Sequence, residues 1–360
     1  MSVGKSCVRL GSLRHAQLSI PAACVTLSAV TTNDQATNPQ HAEPGETSAR
    51  RRSPLLVLAA SLLGISFAAP LVRLSHAPAL VIAAWRLGFS LVIVAIALVA
   101  GGEWRAWRTL ARRDVVLAIG AGVLLSLHFW SWNVSLRFTS VAASVALVNL
   151  QPVVIALFSA RWLGEHASRK QWYGIALAVF GALVVGLADV PGGVTGLFDA
   201  LTGGATPSVG NGASAARARS LLGDALACVG AVTGAFYFLI GRRVRPTLAL
   251  WPYVGLVYGA AFIACVFFAT VTGESLAPQP PRELAIFAGL ALGPMLLGHT
   301  GMIWALGHLP AYVVNLTTLG EPIGATVLAA VLPGIAEVPG GGTIVGGALV
   351  LTGVMFAARR

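Results

Sequence analysis

Glu321 and Arg86 are charged residues set deep inside long apolar runs. Glu321 lies about eleven residues into the run 311–332, and Arg86 about one third of the way along 78–100. Where such a run crosses a bilayer, a charge near the midplane costs on the order of 2.5–3.5 kcal/mol. A carboxyl placed there is suited to carry a proton or to touch a substrate. It can also pin a helix, because Pro322 frees the carbonyl of Thr318 and a protonated Glu321 can donate nearby. Gln151-Pro152 is the neutral counterpart of Glu321-Pro322, so if either half binds a proton at this position, only the second does. Arg86 must face a protein interior, snorkel outward, or pair with an anion or with carbonyl dipoles. Reading a carboxylate-bearing substrate and holding a fixed structural partner are the two alternative roles it could have.

His128 and His299 form a second pair, one residue off register in runs 115–136 and 284–307. Counted along regular helices of opposite direction, they fall on opposite sides of the midplane. A histidine there can relay protons near neutral pH, or pack as a neutral hydrogen-bonded group. Trp130, Trp132 and Trp304 lie well inside their runs and could wall a cavity for apolar or cationic groups. Asn133, Asn149, Gln151 and Asn315 could line the same space or bond between helices. Pro152 and Pro322 mark helix kinks.

The elements that must position these residues follow from composition. The chain has 360 residues, 56% of them hydrophobic and only 10% charged, with a formal charge of +11. A soluble domain is about 25% charged. So little polar surface excludes a soluble globule, and so much hydrophobicity excludes disorder. From Pro54 onward there are ten apolar runs of about 18–24 residues, enough for ten bilayer crossings as helix. They lie near 55–74, 78–100, 115–136, 141–162, 171–188, 221–240, 248–271, 284–307, 311–332 and 340–357. They do not alternate, which excludes a transmembrane β-barrel.

The basic residues then sort by side. With the N-terminus inside, Arg50–Arg52, Arg105, Arg108, Arg112, Arg113, Arg161, Arg169, Lys170, Arg242, Arg243, Arg245, Arg359 and Arg360 are cytoplasmic. Only Arg73, Arg137, Arg217, Arg219 and Arg282 are outside. The positive-inside rule therefore places both termini in the cytoplasm. The excess of positive charge is an orientation signal and not a nucleic-acid footprint. Residues 1–53 are expected to be a disordered tail or an over-long start. Residues 189–220, rich in Gly, Ala, Ser and Thr, are expected to be a flexible linker. The linker separates 54–188 from 221–358, five runs each.

The two halves share a weak repeat. Leu136…Pro152…Ala160 recurs as Leu306…Pro322…Ala330, and Glu165, Gly174, Ala176, Leu177 and Gly181 recur as Glu337, Gly346, Ala348, Leu349 and Gly353. A five-helix unit followed by its copy enters the membrane upside down the second time. The second half also carries Gly298–Ala311, then Leu319-Gly320-Glu321-Pro322. The first carries Ala84-Trp85-Arg86, Ser135–Ala142 and Gln151-Pro152…Leu163-Gly164-Glu165. Over about residues 55–357 this resembles an EamA-type member of the drug/metabolite transporter superfamily. The second half departs from the pattern at Pro333–Glu337, two residues longer than the Leu-Gly-Glu ending of the first.

The resemblance implies an all-α polytopic protein of the cell (inner) membrane, ten transmembrane helices as two inverted five-helix repeats. It implies secondary transport, with export of a small organic metabolite (amino acid or drug-like) as the default. Alternating access with possible proton coupling is the expected mechanism, and the partners are that substrate and the lipid bilayer. A passive facilitator shares every compositional feature. A membrane enzyme is the third class, but no G-x-S-x-G, H-E-x-x-H or phosphate loop occurs. No metal or cofactor is expected: Cys7, Cys24, Cys228 and Cys265 have no ligand spacing with each other or with histidines.

Overall fold

The computed structural model describes residues 44–166, 168–189 and 211–358; among these there is helix and no strand. The helices are α1 (Pro44–Ser66), α2 (Ala68–Leu74), α3 (Ala79–Ala100), α4 (Arg112–Ser135), α5 (Val141–Val148), α6 (Gln151–Leu163) and α7 (Arg169–Asp189). The second half contains α8 (Asn211–Val244), α9 (Leu250–Val271), α10 (Pro281–Leu290), a π-helical stretch Ala291–Thr300, α11 (Gly301–Leu306), α12 (Ala311–Thr318), α13 (Glu321–Val331) and α14 (Gly341–Ala358). Most of the tail expected over 1–53, with Cys7 and Cys24, lies outside the described residues, as does the centre of the linker expected over 189–220. α1 and α8 begin at Pro44 and Asn211, ahead of the apolar runs they carry, because a helix can run on past the hydrocarbon into polar sequence.

Eight helical stretches are long and apolar enough to cross a membrane: Pro54–Leu74, Ala79–Ala100, Arg112–Ser135, Val141–Leu163, Ala218–Val244, Leu250–Val271, Pro281–Leu306 and Ala311–Val331. They coincide with eight of the ten expected runs. The fifth and tenth runs form α7 and α14, which are not among the eight; Gly341–Gly353 of α14 is a shorter apolar helix. These two helices pack along each other. Their contact depends on missing side chains: a Cβ at Gly181 would lie 2.7 Å from Gly346 O, and one at Gly353 would lie 2.5 Å from Gly174 O. Gly174 and Gly181 are the repeat partners of Gly346 and Gly353. The two close approaches are thus one contact made twice, as a two-fold relation between halves requires.

α4 lies along α8, and α9 packs on both α3 and α4. The main core is built here from Leu87, Leu125, Phe129, Tyr237, Phe238, Tyr253, Tyr258 and Met295. Exposed large apolar residues such as Leu63, Ile96, Val116, Tyr173, Ile263 and Val331 cover the outer faces. That is the inside-and-outside apolarity of a protein solvated by lipid.

Besides Pro54–Leu74, which is interrupted at Phe67 between α1 and α2, three spans are not uniform helices. Val141–Leu163 breaks at Asn149-Leu150 into α5 and α6, and Ala311–Val331 breaks at Leu319-Gly320 into α12 and α13. Pro152 and Pro322 stand at the first turn of the second half-helix in each, where a missing N–H is harmless. The third irregular span contains Pro294 and winds as π-helix from Ala291 to Thr300. Tyr258 Oη and Thr300 Oγ1 both reach Met295 O, at 3.4 and 3.2 Å, and so serve a carbonyl of the disturbed stretch.

Candidate functional site

The two helix breaks face each other. Gln151 opens α6 and Glu321 opens α13, so the matching residues of the repeat each sit at a half-helix N-terminus inside the bundle. Positive dipole ends held at this depth are a common way to receive polar groups away from water. Asn149, the C-cap of α5, donates from Nδ2 to Glu321 Oε2 at 3.2 Å and to Val145 O at 2.9 Å. One break therefore holds the carboxyl of the other.

A small cavity of about 30 Å³ adjoins this contact. It is lined by Arg86, His128, Trp132, Gln151, Thr318, Glu321 and His299, with Ile65, Ala68, Val148, Phe238 and Met302 as its apolar wall. Side chains come from both halves. Arg86 is 0% exposed and Glu321 8%. The Arg86 guanidinium lies 3.9 Å over the centre of the Phe129 ring and 3.7 Å from Met295 Sδ. Its Nε and Nη1 have no hydrogen-bond partner among the described residues. An aromatic face and a thioether satisfy a buried guanidinium only in part. The opposite charge available to it across the cavity is Glu321.

The histidines occupy the same cavity. Their ring centroids are 6.2 Å apart, closer than a count along regular helices of opposite direction suggests. The π winding ahead of His299 breaks that count. His128 Nδ1 lies 2.8 Å from Gly230 O; since a carbonyl only accepts, Nδ1 is the donor. Gly234 makes room for this ring: a Cβ there would lie 2.8 Å from His128 Nδ1 and 2.9 Å from Gln151 Oε1. His299 sits among Phe129, Phe238 and Tyr237, and its Nδ1 has no partner among the described residues. No group of three or more His, Cys, Asp or Glu among the described residues could hold a metal ion.

The EamA-like transporter family matches residues 53–187 and, a second time, residues 221–359. The chain belongs to that family. It is a multi-pass membrane protein and a transporter of small molecules, in a family of transporters rather than enzymes. A solved structure described as "Crystal structure of protein" superposes with a TM-score of 0.61 at 20% identity. The match covers 85% of this chain and 96% of that one, and is a likeness of fold. No curated protein matches.

Of the residues singled out from the sequence of this EamA-like transporter, the structure brings together Arg86, His128, Trp132, Gln151, His299 and Glu321, with Asn149 behind Glu321. It places others elsewhere. Trp130 is half-buried and lines an outer apolar pocket with Leu80, Val123, Leu127 and Phe268. Trp304 stacks on His308 with centroids 4.1 Å apart, near the helix end. Asn133 is buried with Nδ2 on Ala79 O at 3.2 Å, and Asn315 with Nδ2 on Ala311 O at 3.3 Å. Pro152 and Pro322 stand beside the two breaks. Phe129, Phe238 and Met295 went unmarked in the sequence, and Thr318 was marked for its carbonyl alone. The first three are ordinary apolar residues on helices full of them, and Pro294 was the one sign of the winding that brings Met295 to Arg86.

Proposed function

We propose that this protein is a secondary active transporter that moves a small organic metabolite by alternating access, and that the Arg86–Glu321 cavity is its transport site. The observation that carries the reading is the placement of Arg86 and Glu321. A fully buried guanidinium and a largely buried carboxyl share one cavity, where both broken spans meet and both halves contribute walls. Charge at that depth is retained where it acts on a substrate or ion. Ten membrane helices in two inverted five-helix repeats, 54–188 and 221–358 joined by 189–220, fit the doubled family match and the doubled Gly174–Gly353 and Gly181–Gly346 contacts. The sorting of arginines supports an inner-membrane protein with both termini cytoplasmic.

Export of an amino acid or drug-like compound is the favoured direction and cargo, with protons as the driving ion. Arg86 suits a carboxylate on the substrate, Glu321 and the histidines suit a proton, and Trp132 and Phe238 suit an apolar body.

A growth-resistance screen against a metabolite panel, with and without overexpression, identifies the cargo. Counterflow of that labelled compound in proteoliposomes then tests the mechanism. Accumulation against no net gradient supports a carrier; simple equilibration at pore-like rates sinks it.

A further inference from the structure

Glu165 and Glu337 are repeat partners that the cavity does not use. Glu165 Oε1 pairs with Arg242 Nε at 2.8 Å, its Oε2 accepts from the Ala311 N–H at 3.2 Å, and Arg242 Nη1 donates to Leu306 O at 2.7 Å. Glu337 Oε1 pairs with Arg73 Nη2 at 2.7 Å, its Oε2 accepts from the Val141 N–H at 2.9 Å, and Arg73 Nη1 donates to Leu136 O. In the repeat register Val141 corresponds to Ala311 and Leu136 to Leu306. Arg73 ends the first span of its half, and Arg242 the first span of the other. One unit of carboxylate, guanidinium, carbonyl and helix start is therefore built twice. In each, the carboxylate comes from one half and everything it holds comes from the other.

The loops that deliver these carboxylates differ, yet the delivery is the same. Gly164 takes φ +69°, and Glu165 N–H closes on Ser159 O at 3.3 Å, six residues back. The second loop is two residues longer. It absorbs them with Gly334 at φ +90° and Ala336 at φ +48°, and Glu337 N–H still closes on the last turn of its helix, at Ala329 O, 3.1 Å. A non-glycine residue held at positive φ is strained, and here the strain accompanies the placement of one carboxylate.

The two units lie at opposite ends of the bundle. Glu337 holds the first residue of Val141–Leu163, and Glu165 lies two residues past its last, so a span of roughly 35 Å separates them. Both ion pairs are within reach of water: side-chain exposure is 33% and 28% for Arg73 and Glu337, 23% and 16% for Arg242 and Glu165. The Glu165 unit borders a polar pocket of about 330 Å³ lined also by Arg113, Asp114 and Arg243. Pairs in such surroundings are weak enough to open and close repeatedly.

Resting on the alternating-access reading above, we infer that Glu165–Arg242 and Glu337–Arg73 are the two gates of this transporter. Each ties the halves together at one end, and one opens in each half-cycle while the other stays shut. Because the two gates are chemically alike, opening at either end breaks the same set of bonds. The two open states are then close in energy, which a carrier that must visit both requires.

The test needs no substrate. Cys7, Cys24, Cys228 and Cys265 are replaced by alanine, Thr318→Cys is placed in the cavity wall, and a membrane-impermeant maleimide is applied from each side in right-side-out and inverted vesicles. Glu165→Gln is expected to raise labelling from the Arg242 end by up to about fivefold, the population shift that losing one partly exposed pair allows. Labelling from the other end should be unchanged or reduced. Glu337→Gln is expected to do the reverse. Arg242→Lys and Arg73→Lys keep the charge and lose the fork, and should give smaller shifts with the same sidedness. Equal labelling from both ends in the Gln or the Lys variants, or no change in any of the four, overturns the assignment. Side-specific labelling without counterflow would instead count against the transport reading alone.

Discussion

Asn149 and Glu321 join the two broken spans at their breaks: the Asn149 amide donates to the Glu321 carboxyl across 3.2 Å, one residue capping α5 and the other opening α13. Only Asn149 gives Glu321 a side-chain hydrogen bond among the described residues, and Arg86 is the arginine that lines the same cavity.

Removing that amide leaves a buried carboxyl without its donor. Asn149→Ala is expected to cost about 1–3 kcal/mol of stability. Transport should fall with it, because the two breaks are no longer tied. Asn149→Asp is expected to be worse, since it sets two carboxyls face to face. Thermal unfolding in detergent and initial transport rates check both; an Asn149→Ala chain equal to the parent in both assays refutes the link.

Glu321→Gln keeps the shape and the contact with Asn149 but cannot release a proton. If Glu321 carries the coupling proton, the variant should still exchange labelled substrate across liposomes. It should, however, lose substrate-driven proton movement, as its repeat partner Gln151 is bound to. Proton flux read with an internal pH dye at matched protein loading decides this. Undiminished flux moves the proton site to His128 or His299; loss of exchange together with flux makes Glu321 a substrate contact instead.

Arg86 has its guanidinium over the Phe129 ring and two nitrogens without partners among the described residues. Lysine in its place keeps the charge and loses both the stack and the fork. Arg86→Lys is therefore expected to weaken transport of carboxylate-bearing substrates by roughly 10–100-fold, the range for a charge-assisted hydrogen bond. Amide isosteres of the same compounds should lose less. Competition assays over such pairs give the answer, and equal losses for acid and amide remove any charge-reading role.

The class of this protein was legible because it depends on sums: little charge, long apolar runs and a sidedness of arginine survive any error in a boundary. Glu321 and Arg86 stood out for the same reason, as charges where charge is costly. Eight spans among the described residues coincide with eight of the ten apolar runs, since length and hydropathy are all a span needs. The neighbours of those charges were not legible. Met295 reaches Arg86 only through the π winding after Leu290, and helical counting cannot foresee an extra residue in a turn. Glu165 and Glu337 were visible as a repeat pair. That each would grip the other half required knowing that the second half runs back past the first.

The glycine contacts of α7 and α14 make the last expectation. A Cβ at Gly346 would lie 2.7 Å from Gly181 O, and one at Gly181 would lie 2.5 Å from Val350 N, both against backbone that cannot rotate away. Gly346→Ala and Gly181→Ala should each force the helices apart, at about 1–3 kcal/mol as overpacking typically costs. The pair shares one crossing, so the double variant should cost less than the two singles together. Gly347, one residue on, has nothing within 4 Å of its would-be Cβ. There the gain in helix propensity is unopposed, and Gly347→Ala should be neutral or stabilising by up to about 1 kcal/mol. Thermal unfolding of the four variants checks the series. A Gly347→Ala loss as large as that of Gly346→Ala would show that backbone freedom along α14, rather than contact with α7, is what these glycines supply.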